Sequence, residues 1–305
     1  MSAFSDFEDW LLRQDYAVHT RRGYLADLRH FAAWFEARTG EAPAPDSLTA
    51  RDLRAYREHL LESGRAVSTV NRRMDALRAW LGWARRSGLR ADNPARALRR
   101  LKQNRPGNVR WLDGRQQAAL LRAAEREVQV ARLRYPVRQV TRQRDAAMLS
   151  TLLHTGLRVS ELTALRVEDL TLGPRRGELL VRAGKGSKQR RVPLNAAARR
   201  ALREWLEVRP DTGGEYLFPP LEHSVRDGRL SSRAVQRVVR RFGEQASLPG
   251  VTPHVLRHTF AKNLVDAGVS LEKVAALLGH SNLNTTRIYI TPSQQDLALA
   301  VEKVA

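Results

Sequence analysis

Residues Glu178 to Leu194 read ELLVRAGKGSKQRRVPL, and this stretch decides the fold class. Glu178 to Arg182 and Gln189 to Leu194 are short β-rich runs around Gly184-Lys185-Gly186-Ser187. Glycines with a small polar residue between such runs signal a hairpin. Nearly everything around the hairpin has helical spacing. Downstream, helices are predicted over Ala196 to Val208, Ser232 to Gln245, Pro253 to Ala267 and Leu271 to Leu278, with a short amphipathic tail over Ser293 to Val304. Upstream the pattern is helical from Trp111.

Asp6 to Gly88 reads as four helices: Leu25, Leu28, Ala32 and Phe35 recur at helical spacing, as do Leu53, Tyr56, Leu60 and Leu61, and then Val70, Met74, Leu77, Leu81 and Ala84. Ser47 or Thr49 can cap the second of these runs, Gly40 to Pro45 is a turn-rich connection, and Asn93-Pro94 closes the bundle. Arg99 to Arg110 is basic, weakly periodic and contains Pro106-Gly107, which marks a linker. The expectation is a mainly α protein with a small antiparallel β-sheet, in two domains, 1–102 and 111–305, joined by 103–110. A length of 305 residues suits that division, because single cores stop growing near ~250–300 residues.

Charge narrows the function. The chain carries a formal net charge of +21 and 42% apolar residues, enough for real cores. Residues 1–102 hold 19 Lys and Arg against 13 Asp and Glu, and the remainder holds 34 against 19, so both parts are basic. That suits a protein gripping a polyanion from two sides, with affinity that falls as salt rises. Arginine outnumbers lysine 47 to 6, a ratio to which codon bias contributes without explaining the net excess of positive charge. With no cysteine, disulfides and thiolate metal sites are excluded. Met1 to Trp10 is acidic and amphipathic rather than signal-like, and no stretch approaches the ~18 apolar residues of a membrane span. A soluble, cytoplasmic protein is expected.

The second half carries Arg158, Lys185, His254, Arg257, His280 and Tyr289, each in a context that would aim it at a phosphodiester. Two arginines and two histidines can bind non-bridging oxygens, where charge develops during phosphoryl transfer. Tyrosine supplies a nucleophile and lysine a proton. No acidic triad for a divalent metal accompanies them, so the protein's own cations would stand in for Mg²⁺, and no metal or cofactor is expected. Taken singly, each residue has a plainer reading. Arg158 could pair with Glu161 at i+3, Lys185 could be a solvated turn lysine, and Tyr289 a half-buried aromatic.

The motifs together are specific. LHTGLRVSEL at Leu153 to Leu162, VRAGKGSKQRRVPL at Val181 to Leu194, HVLRHTF at His254 to Phe260, LLGH at Leu277 to His280 and TRIY at Thr286 to Tyr289 resemble, in order and spacing, the tyrosine recombinases of the Xer and phage-integrase superfamily. TRRGYLADL at Thr20 to Leu28 and STVNRRMDALRAWLGWA at Ser68 to Ala84 resemble that superfamily's core-binding domain, so the resemblance covers nearly the whole chain. It implies a two-domain DNA clamp, with 1–102 a SAM-like core-binding domain and 111–305 the catalytic domain.

The resemblance also implies roles. Arg158 and Arg257 would hold the phosphate, His254 would contact it and move a proton, and His280 would donate to a non-bridging oxygen. Lys185 would act as general acid on the leaving 5′-oxygen, a task suited to a residue that can lose its proton as arginine cannot. A phenol of pKa near ~10 is a weak nucleophile, so Tyr289 needs the surrounding cations and a base to attack. Glu161 would orient Arg158. His154 and His258 fall away from the superfamily's catalytic positions and read as packing or surface residues. Thr20, Arg21, Tyr24, Arg72, Arg73, Arg78 and Lys188 are candidate DNA contacts, most of them expected to fall on phosphates.

The reaction implied is site-specific cutting and rejoining through a 3′-phosphotyrosine and a Holliday junction, for integration, excision or resolution of DNA elements. The implied partners are double-stranded DNA with inverted-repeat core sites and further copies of the chain. These would form a dimer on one site and a tetramer in the synapse, with the segment from Ser293 docking on a neighbour and room for an accessory or second recombinase. Two features depart from the Xer pattern: Glu125 to Arg144 is longer and more basic than the usual loop, and Tyr289 is followed by Ile290-Thr291-Pro292. They argue against a plain chromosome-dimer resolvase. The rivals are a type IB topoisomerase, disfavoured by the core-binding half, and a catalytically silent architectural or regulatory DNA-binding protein.

Overall fold

The computed structural model describes residues 4–14, 16, 18–102, 110–182, 189–211, 214–221, 228–280 and 286. It falls into two compact units, Met1–Pro106 and Gly107–Ala305.

In the first unit the four expected helices form: α1 (Ser5–Arg13), α2 (Val18–Thr39), α3 (Ala50–Glu62) and α4 (Val67–Arg86). Thr49, one of the two capping candidates, begins α3. Its side chain accepts from the Asp52 amide while Asp52 accepts from the Thr49 amide, which satisfies two donors that the first turn would otherwise orphan. Phe7, Leu28, Phe31, Leu53, Tyr56 and Trp80 are fully buried between the helices, with the Phe31 and Tyr56 rings edge to face at 5.0 Å. The Asn93 side chain caps the short 3₁₀ turn Pro94–Ala97 and also donates to the Arg78 carbonyl at 3.1 Å, closing the bundle.

The second unit is built around α6 (Pro136–Thr155), which packs on α5 (Gly114–Arg134), α8 (Ala196–Val208), α9 (Ser232–Gln245) and α10 (Pro253–Asp266). The expected loop at Glu125 to Arg144 is instead the end of α5 and the start of α6, broken only at Tyr135 before Pro136. Buried charge crosses this packing: Arg144 and Arg241 both hold Asp145, at 2.8 Å each, and Arg241 reaches Glu127 on α5 at 3.0 Å.

The sheet has one strand more than the hairpin requires. β1 (Leu170–Leu172), β2 (Gly177–Val181) and β3 (Arg190–Pro193) lie in that order, antiparallel, with Leu170 opposite Leu179 and Leu179 opposite Val192. Leu179 and Val192 are fully buried and join Leu149, Leu153, Leu202, Trp205 and Phe242 in one core. Among the described residues the second unit also contains α7 (Val159–Leu162) and α11 (Leu271–Leu278). The fold is thus mainly α with a small antiparallel sheet, in two domains.

Candidate active site

The site forms where α6 and α11 end. Gly156 terminates α6 in the left-handed region at φ 62°, and a Cβ there would lie 2.4 Å from Phe260 Cδ1, so only glycine fits. The turn drives Leu157 into the core and presents Arg158 as the residue preceding α7. Gly279 ends α11 in the same left-handed way, at φ 65°.

The last turn of α11 leaves carbonyls without helical partners, and three consecutive ones each receive an arginine from a different element. Arg190 on β3 donates through Nε to Leu277 at 2.8 Å, Arg257 on α10 through Nη2 to Leu278 at 2.8 Å, and Arg158 through Nη2 to Gly279 at 3.2 Å. Arg257 is buried and its Nη1 also donates to the Gly156 carbonyl at 2.7 Å, joining the two helix ends. Two sequence-predicted arginines that lie 99 positions apart are therefore fixed on neighbouring peptide groups.

Glu161 is the anion of the cluster. Its carboxylate accepts from Arg158 Nη1 at 2.9 Å and the Arg158 amide at 2.8 Å, and takes both ends of the Arg190 guanidinium at 2.9 Å. Burial alone would raise its pKa, but hydrogen bonds from Arg190 and the Arg158 amide, with the charge of both arginines, bring it below the ordinary value. One carboxylate between two guanidiniums, with Arg257 beside them, leaves the cluster net cationic.

His280 follows Gly279 directly. Its Nδ1 lies 2.9 Å from Thr286 Oγ1, and Thr286 is fully buried. Burial, then the positive charges of Arg257, Arg158 and Arg190, push its pKa down to about 4, so at neutral pH the ring is uncharged and still offers one N–H. His254 sits exposed in the first turn of α10, and His258 one turn later is partly buried with its pKa lowered by burial and by His254 and Arg257. His154 points away, between α6 and α8, 3.1 Å from Asn195 Nδ2, with its pKa lowered by burial, which agrees with a packing role. Lys185, Lys188, Tyr289 and the segment from Ser293 lie outside the described residues, as do linker positions 103–109.

Arg190 is the site residue that the sequence reading passed over. A signal existed: in the strand pattern Arg190 falls on the same side as the buried Val192, and an arginine on an inward position demands a partner.

In the first unit Thr20, Arg21 and Tyr24 lie on α2, and Arg72, Arg73 and Arg78 on α4. Asp27 bridges the two helices, paired with Arg72 and, at 3.8 Å, with Arg73 Nε, while Arg73 also bonds His30 at 2.9 Å. Arg72 and Thr20 are exposed, whereas Arg21, Tyr24 and Arg73 are partly covered. Arg78 faces its own domain, held by Asp75 at 2.6 Å and by the carbonyls of Ala95 and Leu98.

Comparison with known proteins agrees with this architecture. The phage integrase family matches residues 110–296, and the phage integrase N-terminal SAM-like domain matches 4–88. The chain is 34% identical to tyrosine recombinase XerC of Corynebacterium efficiens, over 97% of this chain and 89% of that protein. It is 35% identical to tyrosine recombinase XerA of Thermococcus kodakarensis, over 98% and 93%. In fold it resembles the XerH recombinase in a pre-cleavage complex with its difH substrate, at a TM-score of 0.71 and 20% identity over 99% of this chain and 84% of that one. It likewise resembles the Tn1549 transposon integrase bound to circular-intermediate DNA, at 0.68 and 21% over 99% of each. Among the described residues no helix is long and apolar enough to cross a membrane.

Proposed function

This chain belongs to the phage integrase family and is a site-specific tyrosine recombinase, and from that premise we propose which of its residues carry strand cleavage. Arg158 and Arg257 bind the two non-bridging oxygens of the scissile phosphate, and His280 donates to one of them as charge grows in the transition state. With the Thr286 hydroxyl donating to Nδ1, the neutral His280 ring presents Nε2–H to the phosphate.

Tyr289 attacks phosphorus. The Tyr289 oxygen–phosphorus bond forms as the phosphorus–O5′ bond breaks, the phenolic proton passes to His254, and Lys185 protonates O5′. The product is a 3′-phosphotyrosine and a free 5′-hydroxyl. Attack by a 5′-hydroxyl of the partner duplex reverses the steps and joins the strands. Bond energy is conserved in the phosphotyrosine ester, so the cycle needs neither a nucleotide cofactor nor a metal.

The observation that carries this reading is the pair of consecutive carbonyls, Leu278 and Gly279, that holds Arg257 and Arg158 beside His280. In the N-terminal domain, Thr20, Arg21, Tyr24, Arg72 and Arg73 on α2 and α4 contact DNA, joined by Lys188 from the hairpin. Arg78 holds Leu98 and Ala95 and supports that surface from within. The DNA partner is a duplex with inverted-repeat core sites, bound by a dimer of this chain and synapsed as a tetramer in the cytoplasm, with the segment from Ser293 packing on a neighbouring copy.

Mapping covalent protein–DNA adducts across the genome of the source cell tests the reading. Adducts at one or a few inverted-repeat sites that vanish in Tyr289→Phe support it and name the target. Retained binding without adducts would favour a DNA-binding protein that does not cut.

A further inference from the structure

Arg190 makes more contacts inside the site than any role as a strand residue requires. Its Nη1 and Nη2 lie 2.9 Å from Oε1 and Oε2 of Glu161, a fork-on-fork pair, and its Nε lies 2.8 Å from the Leu277 carbonyl. The side chain is only 12% exposed, so the guanidinium is turned to these partners rather than to substrate. A Cβ on Gly279 would come within 2.7 Å of Arg190 Nη1, so the guanidinium packs closely against Gly279, the residue that precedes His280. Arg190 also stands on β3, the strand that follows Lys185 in the sequence.

We propose that Arg190 is a positioning residue for strand cleavage, setting Arg158 through Glu161 and the Leu277–His280 turn through the Leu277 carbonyl. This rests on the assignment of Arg158 and His280 to the scissile phosphate. Two physical effects are combined. The fork leaves the Glu161 carboxylate one orientation, in which it faces both the amide and the guanidinium of Arg158. Arg190 also shares the negative charge of Glu161, so Arg158 is held without being neutralised and keeps its attraction for phosphate. Lysine at 190 would keep the charge but could not make two parallel bonds to a carboxylate.

The test uses the full-length protein and a nicked duplex carrying the site found by adduct mapping. Single-turnover cleavage at saturating protein, DNA affinity and melting temperature are measured for Arg190→Lys, Glu161→Gln, the double variant and Arg158→Ala. Arg190→Lys is expected to cleave about 10–100-fold more slowly, the range for a small misplacement of reacting groups, with affinity within about twofold of wild type. The double variant is expected to be no slower than the slower single, because both changes break one connection. Wild-type cleavage by Arg190→Lys, multiplying defects in the double variant, or a rate loss matched by lost affinity or melting temperature would each overturn the inference. Wild-type cleavage by Arg158→Ala would instead bring down the site assignment beneath it.

Discussion

Arg158 Nη2 reaches the Gly279 carbonyl at 3.2 Å across 121 positions of chain. The bond joins the turn after α6 to the turn after α11, and Arg257 doubles it by donating to Gly156 and Leu278. Two helix ends, each with its last carbonyls unpaired, become the frame on which the phosphate-binding groups are mounted. The same bonds that complete the helices orient the cations, so stability and function are coupled here.

Arg257 should therefore be costly to replace. In Arg257→Ala the Gly156 and Leu278 carbonyls lose buried donors, and stability should fall by about 1–3 kcal/mol for the unsatisfied groups. Arg257→Lys keeps the charge but not the two-carbonyl span, and should lose cleavage nearly as completely. Urea melting with a cleavage assay checks both; a lysine variant that cleaves at the wild-type rate would contradict the geometry.

Gly156 and Gly64 provide a paired test. Both have positive φ, 62° and 68°, but a Cβ at 64 meets nothing within 4 Å, whereas one at 156 collides with Phe260 and Leu278. Gly64→Ala should cost about 1–2 kcal/mol from backbone strain, and Gly156→Ala clearly more, by a further 1–3 kcal/mol, roughly, from overpacking. Equal losses in denaturant melts would mean that α6 can end without glycine.

Acid should weaken the fold through His280. In the unfolded chain the ring titrates near 6.5, and in the fold it stays neutral down to about 4. Between those values the unfolded state binds the extra proton, so stability falls as pH drops from 6.5 and the loss is complete below 4. His154 and His258, also lowered, act in the same direction. Melting temperature against pH should be less steep over that window in His280→Gln; an unchanged slope would show that His280 titrates freely.

Lys185→Ala should slow cleavage while leaving DNA affinity nearly intact, because one general acid among many cations adds little to binding. Equal loss of rate and affinity, measured on one substrate, would remove the general-acid role.

Much of this was legible in the sequence where local pattern decides. Helices α8, α9 and α11 form over the expected residues, and the hairpin strands fall within a residue of their expected limits, because amphipathic spacing and turn residues act locally. Strand β1 was missed: Leu-Thr-Leu is too short to carry a pattern, and it becomes a strand only because β2 pairs with it. Arg158, Arg257, Glu161 and His280, which motif order singles out, are brought together in one cluster. Arg190 was not singled out: its inward register beside Val192 was the one local sign, since its partner Glu161 lies 29 positions earlier and its third bond goes to a backbone carbonyl.

The most direct test incubates the purified chain with a suicide duplex nicked beside the cleavage point, so that the released 5′ fragment diffuses away and the covalent adduct accumulates. Wild type should form an adduct through Tyr289 without added metal, Tyr289→Phe none, and Arg158→Ala one that forms at least about 100-fold more slowly, the scale of a lost oxyanion donor. An adduct that survives Tyr289→Phe, or that Arg158→Ala forms at the wild-type rate, would contradict the account.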